Sequence, residues 1–225
     1  MKVNIPRVKI CCISSIEEAM LAIEYGASAI GLVSHMPSGP GIISNQMTKE
    51  ITESIPDGIS VFLLTSKTLA NEIIDQHRNF NTDTIQLVDK VDINQYEQLR
   101  GALPDVKLVQ VIHVQDEKAV EEAIRYTQVA DIILLDSGNP HLDIKVLGGT
   151  GKVHNWDISK RIISAIDVPV YLAGGLKSSN VSQAIQKVQP YGVDLCSGVR
   201  TDGKLDREKL EAFFQAVNSN PYKIN

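Results

Sequence analysis

Two side chains combine proton-transfer chemistry with a position at the end of a strand-like run. They are Cys11, in Val8-Lys9-Ile10-Cys11-Cys12-Ile13-Ser14, and Asp136, in Leu134-Leu135-Asp136. A thiol ionises near ~8.5 and acts as a base only as the thiolate, which a neighbouring ammonium favours. Side chains alternate along a strand, so Lys9 and Cys11 share one face and Cys12 takes the other. With Cys11 facing inward, Lys9 lies a layer below it, free to support the thiol or to pair with a deeper carboxylate. Cys12 is then expected to face the helix layer. Leu134 and Asp136 also share a face, which brings the carboxyl to a strand mouth. Each residue has a plain alternative: a strand cysteine as a small buried hydrophobe, a strand-end aspartate as a turn former.

Glycines supply the second chemical signal, in Leu172-Ala173-Gly174-Gly175-Leu176 and Asp194-Leu195-Cys196-Ser197-Gly198-Val199-Arg200. A phosphate dianion needs converging N–H donors, and glycine lets the backbone approach closely. Gly174, Gly175, Ser197 and Gly198 are the expected phosphate contacts, with tight turns as the alternative. Gly148-Gly149-Thr150-Gly151-Lys152 lacks P-loop spacing and reads as a loop able to close over an anion. His35 and His113 fall near strand ends, while His77, His141 and His154 lie on a helix or in a long loop. No His, Asp or Glu spacing suggests a metal. A thiol and a carboxyl above a phosphate cup point to proton transfer on a sugar phosphate.

Positioning these groups requires a regular scaffold, and the apolar pattern supplies one. Short β-branched runs at 8–13, 29–34, 60–65, 84–88, 107–114, 131–136, 168–173 and 192–197 each precede a segment of helical spacing. The clearest helix runs from Ser15 to Gly26, with a Ser15-x-x-Glu18 capping box and a glycine stop. Further helices are expected to start near Ser44, Lys67, Ile93, Glu117, Trp156, Asn180 and Asp206. This strict alternation predicts an α/β fold, a single-domain (β/α)8 TIM barrel over residues 1–225, with a doubly wound open sheet as the rival. Active sites of such barrels lie at the C-terminal ends of the strands, with phosphate commonly held after the seventh and eighth. The loops at 35–43 and 137–155 are long, glycine-containing and candidate lids.

Bulk properties exclude several classes. The chain has 225 residues, 43% hydrophobic and 22% charged, with a net charge of -5. An acidic balance argues against nucleic acid as a partner. No apolar run is long enough to span a membrane, and the first residues lack a signal-peptide pattern. Three cysteines without metal or disulfide spacing suggest a reducing cytoplasm.

The motifs together resemble those of the phosphoribosylanthranilate isomerase family over nearly the whole chain. Lys9-Ile10-Cys11-Cys12-Ile13-Ser14 is similar to the family's Lys-Ile-Cys-Gly-Ile-Thr. Leu134-Leu135-Asp136, Gly148 to Lys152, Leu172 to Leu176, Asn180-Val181, Pro190 to Asp194 and Cys196 to Arg200 match further family segments. The resemblance implies an Amadori rearrangement of N-(5-phosphoribosyl)anthranilate in tryptophan biosynthesis. Cys11 would be the base at the sugar C2 proton and Asp136 the acid that assists ring opening, with no cofactor or metal. Gln86 and Lys9 join the glycine contacts as expected substrate-binding residues. The partner is a small sugar phosphate; the oligomeric state is left open. Four departures stand out. Gly39-Pro40-Gly41 aligns where the family carries Ser-Pro-Arg, whose arginine pairs with the anthranilate carboxylate. Gln86-Leu87-Val88-Asp89 stands where the family has Gln-Leu-His-Gly, Cys12 replaces a glycine, and Arg200 replaces a glutamate. Arg200 is a candidate substitute cation. A relative acting on another aminoaldose phosphate, or a non-catalytic sugar-phosphate-binding barrel, remain the alternatives.

Overall fold

A computed structural model describes residues 3–37, 39–138 and 153–223. The strands predicted from the β-branched runs form a closed parallel barrel. They are β1 (Arg7–Ile10), β2 (Ala29–Val33), β3 (Ser60–Thr65), β4 (Thr84–Leu87), β5 (Lys107–His113), β6 (Ile132–Asp136), β7 (Val170–Leu172) and β8 (Gly192–Leu195). Each pairs with the next, and β8 returns to β1 through Lys9 beside Asp194 and Ile10 beside Leu195. The open-sheet alternative is thereby excluded. Eight helices alternate with the strands: α1 (Ile16–Glu24), α2 (Asn45–Ser54), α3 (Ala70–His77), α4 (Ile93–Ala102), α5 (Lys118–Tyr126), α6 (Trp156–Ala165), α7 (Ser178–Val188) and α8 (Arg207–Asn218).

The two-residue period of the strands sorts their side chains into two cores. Ile10, Ile30, Leu32, Leu63, Ile85, Leu87, Ile133, Leu135 and Val193 pack outward against the helices. Their alternating neighbours, among them Ala29, Phe62, Leu64, Val109, Val111, Leu134 and Tyr171, fill the interior. Each core side chain of this kind contributes about 1.5–3 kcal/mol of transfer free energy on burial. Gly192 serves the interior packing directly, because a Cβ there would lie 2.4 Å from the Tyr171 ring.

Local signals set most helix ends. Ser44 caps α2, its hydroxyl accepting from the Met47 N–H at 3.1 Å. α1 stops before Gly26, which takes a φ of 108°. α3 begins at Ala70 rather than near Lys67. Leu69 has no capping side chain, and the Ala70 N–H instead donates to Gln95 Oε1 at 2.8 Å, a partner brought by the following unit. Two short antiparallel pairs were not anticipated: Val3–Asn4 with Tyr222–Lys223, and Arg200–Thr201 with Lys204–Leu205. The second turns through Asp202 and Gly203, both at positive φ.

Candidate active site

The expected base and acid both reach the C-terminal mouth of the barrel. Cys11 continues the ladder beyond β1, its N–H donating to Leu195 O at 2.8 Å, and its side chain is buried in the interior cluster. Asp136 ends β6 opposite His113 of β5, and its Oδ1 accepts from the Ser137 N–H at 2.7 Å. Between them lies an ion pair, Lys9 Nζ to Asp194 Oδ1 at 2.9 Å, with the ammonium wholly buried. Burial alone would lower the Lys9 pKa. The adjoining Asp194 carboxylate and then Cys11 outweigh it, so Lys9 stays charged above its ordinary range. Burial lifts the Asp194 carboxyl at the same time, with Asp136 a further, like-charged neighbour. Attraction at 2.9 Å decides the contest in favour of the ion pair. The pair therefore neighbours both the thiol and the acid.

Room for this arrangement comes from Gly31, which sequence reasoning overlooked. A Cβ there would sit 2.9 Å from Cys11 Sγ and 3.0 Å from Lys9 Nζ. Its signal was a bare glycine inside an otherwise β-branched strand, which marks a close approach. Lys9, expected among the substrate contacts, has no exposed surface and is held by Asp194 and by the Phe62 ring 5.1 Å from its nitrogen.

The glycine segments meet at one edge of the mouth. Gly174 and Gly175 have φ of 83° and 62°, a sharp turn that L side chains resist. Asn180 pins it, with Nδ2 donating to Gly175 O at 3.0 Å and Oδ1 accepting from the Lys177 N–H at 2.9 Å. Ser197 and Gly198 follow β8 in one 3₁₀ turn. A Cβ on Gly198 would lie 2.0 Å from Leu176 O, so the two loops are in direct backbone contact. Gln86 faces the interior from β4, and its Oε1 is buried without a protein partner.

The histidines divide clearly. His77 is structural, bonded to Thr82 O at 2.7 Å. His113 Nε2 bonds Val88 O, leaving a buried Nδ1 without a partner. His35 is exposed. His154 was underrated: its Nε2 meets Ser159 Oγ at 2.7 Å, and its Nδ1 lies 3.0 Å from where a Gly174 Cβ would be. Burial pushes its pKa down to about 4 against the pull of Asp136, so it is a neutral imidazole beside the acid. His141 and the Gly148-to-Lys152 loop lie outside the described residues. Among the described residues no group of side chains is arranged to hold a metal ion, and no helix is long and apolar enough to cross a membrane.

Two expectations about the variable residues are overturned. Cys12 does not face the helices. It adopts a φ of 61°, which swings its side chain into the interior cluster with Cys11. Arg200 is no free cation either. Its guanidinium forks onto Glu18 at 2.8 and 3.1 Å and donates to Cys12 O at 2.6 Å and Gly203 O at 2.8 Å. Glu18 is held below the usual carboxylate range because bonds from Arg200 and from the Leu205 N–H overcome its burial. The expected capping box is accordingly altered: Ser15 Oγ accepts from the Glu18 N–H, but the Glu18 carboxylate reaches Ser14 instead of Ser15. Gly41 explains where an arginine could not stand. Its φ is 80°, and a Cβ would lie 2.4 Å from the Cys12 Cβ.

Comparison with known proteins agrees with this architecture. Residues 8–216 match the profile of the family described as N-(5'phosphoribosyl)anthranilate (PRA) isomerase. The N-(5'-phosphoribosyl)anthranilate isomerase of Methanocella arvoryzae is 33% identical over 212 residues, covering 94% of this chain and 97% of that one. The crystal structure of phosphoribosyl anthranilate isomerase from Thermotoga maritima superposes with a TM-score of 0.81 at 28% identity, covering 95% and 99%. A further phosphoribosyl anthranilate isomerase, solved in complex with reduced 1-(o-carboxyphenylamino)-1-deoxyribulose 5-phosphate, gives 0.77 at 25% identity, covering 95% and 99%. With a thiol and a carboxyl at one barrel mouth beside paired glycine loops, the chain belongs to the N-(5'-phosphoribosyl)anthranilate isomerase family.

Proposed function

We propose that the protein is an isomerase that converts N-(5-phosphoribosyl)anthranilate into the corresponding 1-amino-1-deoxyribulose phosphate in tryptophan biosynthesis, working in the cytoplasm. The observation that carries this reading is the Lys9–Asp194 pair standing as common neighbour to Cys11 and Asp136. Asp136 protonates the furanose ring oxygen, the C1–O bond breaks, and the anthranilate nitrogen lone pair forms an iminium. Cys11, as thiolate, removes the C2 proton; the C–H electron pair forms the C1–C2 double bond and neutralises the nitrogen. The resulting enolamine tautomerises to the aminoketose. The buried Lys9 ammonium lies beside both the Cys11 sulfur and the Asp194 carboxylate. Backbone N–H groups around Gly174, Gly175, Ser197 and Gly198 take the phosphate, and Gln86 offers its unpartnered oxygen to a sugar hydroxyl.

A second reading, the same rearrangement on an aminoaldose phosphate without a carboxylate, is favoured by one feature. Gly41 holds no cation, and Arg200 is committed to Glu18. Complementation of a tryptophan auxotroph lacking this isomerase separates the two. Rescue by the wild-type gene and loss with Cys11→Ala or Asp136→Asn support the first reading, each group being worth ~10²–10⁴-fold in rate. Soluble, folded wild-type protein that fails to rescue favours the second.

A further inference from the structure

Three thiols meet at the barrel mouth, although the reaction calls on only one. Cys11 and Cys12 lie together in the interior cluster, and Cys196 packs against it. Cys196 follows β8, is only partly buried, and feels the charge of Arg200. Arg200 binds the Cys11 and Cys12 carbonyls, so one guanidinium holds that stretch of backbone beside Cys196. Where the resemblance would put a glycine, this chain carries Cys12, and Cys196 stands beside it. These two are chemically unequal. The neighbouring Cys11 and Cys196 thiols, together with burial, push the Cys12 thiol up. The Cys196 thiol is pulled down by its Cys12 neighbour, and the Arg200 charge adds to the effect. A partly exposed thiol favoured as thiolate, with a second thiol in contact, is the arrangement of a redox-sensing cysteine and its resolving partner.

We propose that Cys196 and Cys12 form a peroxide-responsive pair whose disulfide reversibly silences the site. The Cys196 thiolate attacks one oxygen of hydrogen peroxide; the O–O bond breaks, and hydroxide leaves to be protonated to water. The resulting Cys196 sulfenic acid is attacked by the Cys12 sulfur. The S–O bond breaks, a second water leaves carrying the Cys12 proton, and the S–S bond forms. Two thiols have given two electrons to one peroxide. Cys12 is the chain neighbour of Cys11 and Arg200 grips both of their carbonyls, so drawing Cys12 onto Cys196 displaces the base.

The loss of activity rests on the function proposed above, whereas the bond itself does not, so the test reads both. Reduced full-length protein is exposed to hydrogen peroxide, quenched with an alkylating reagent and analysed by mass spectrometry. Expected are a mass loss of two hydrogens and a cross-linked peptide pair, with fragmentation between residues 11 and 12 assigning the bond to Cys12 and Cys196. Isomerisation of phosphoribosylanthranilate should fall at least about tenfold, towards the ~10²–10⁴-fold a general base contributes, and return on dithiothreitol treatment. Cys196→Ser should keep the activity of the untreated enzyme and lose the peroxide sensitivity. Wild-type protein that stays fully reduced, a bond assigned to Cys11, or a Cys12–Cys196 bond that leaves turnover unchanged would each overturn the proposal. A protein that forms the bond but never isomerises this substrate refutes the proposed function alone.

Discussion

Lys9→Met tests the electrostatic core of the site. Lys9 and Asp194 lie 2.9 Å apart with side-chain exposures of 0% and 7%, so removing the lysine strands a carboxylate in the barrel interior. Breaking one partner of a buried pair costs about 3–5 kcal/mol. At about 2–4 °C per kcal/mol for a chain of this length, Tm should fall by roughly 6–20 °C. The deficit should also depend on pH in a defined direction. Burial raises the Asp194 carboxyl and Lys9 opposes it, so the variant leaves burial unopposed. A group whose pKa is raised on folding takes up a proton, contributing stability that is present at low pH and lost as pH rises through the folded value. The cost of Lys9→Met should therefore shrink as pH falls from about 7 towards about 5. Replacing both partners, Lys9→Met with Asp194→Leu, should recover most of the loss. Urea unfolding followed by fluorescence of Trp156, the chain's one tryptophan, reads the wild type and both variants. A deficit below about 1 kcal/mol, the range of solvent-exposed pairs, and the same at both pH values, would refute the reasoning.

Gly41→Arg should not restore an anthranilate clamp. Its φ of 80° and the 2.4 Å approach of a Cβ to Cys12 predict a destabilised protein with lower kcat/KM, measurable by thermal unfolding and steady-state kinetics. Gly198→Ala should raise KM for the phosphorylated substrate, because a Cβ 2.0 Å from Leu176 O must force the two glycine loops apart. An unchanged KM would argue against a phosphate site there. His154, with its pKa depressed to about 4, contributes stability that is present above its unfolded pKa near ~6.5 and lost as pH falls through the folded value. Its slope is about 1.4 kcal/mol per pH unit, and His154→Phe should remove that slope from urea-unfolding free energies measured across the window.

The sequence by itself determined the barrel and the strand ends that carry Cys11 and Asp136. Strand periodicity is a local property: Ile10 must turn to the opposite side from Lys9 and Cys11, and that alternation, repeated along the chain, leaves one side for the helices and one for the interior. Ser44 and Gly26 act on their immediate neighbours, so helix ends that depend on them were readable. Asp202-Gly203 is equally local, the dipeptide of a tight hairpin turn, and it closes the Arg200–Leu205 pair. Tertiary structure decided what depends on partners remote in the chain. α3 begins where Gln95 can reach Ala70. Arg200 is tied down by a glutamate 182 positions earlier. Lys9 is committed to Asp194 by the closure of β8 onto β1. Cys12 shows the limit most directly. Alternation sends it outward, but the left-handed backbone demanded by the loop packed against Gly41 turns it inward, beside Cys11 and Cys196. Local pattern gives the direction of a side chain in a regular strand, and only the surrounding packing reveals where the strand has ceased to be regular.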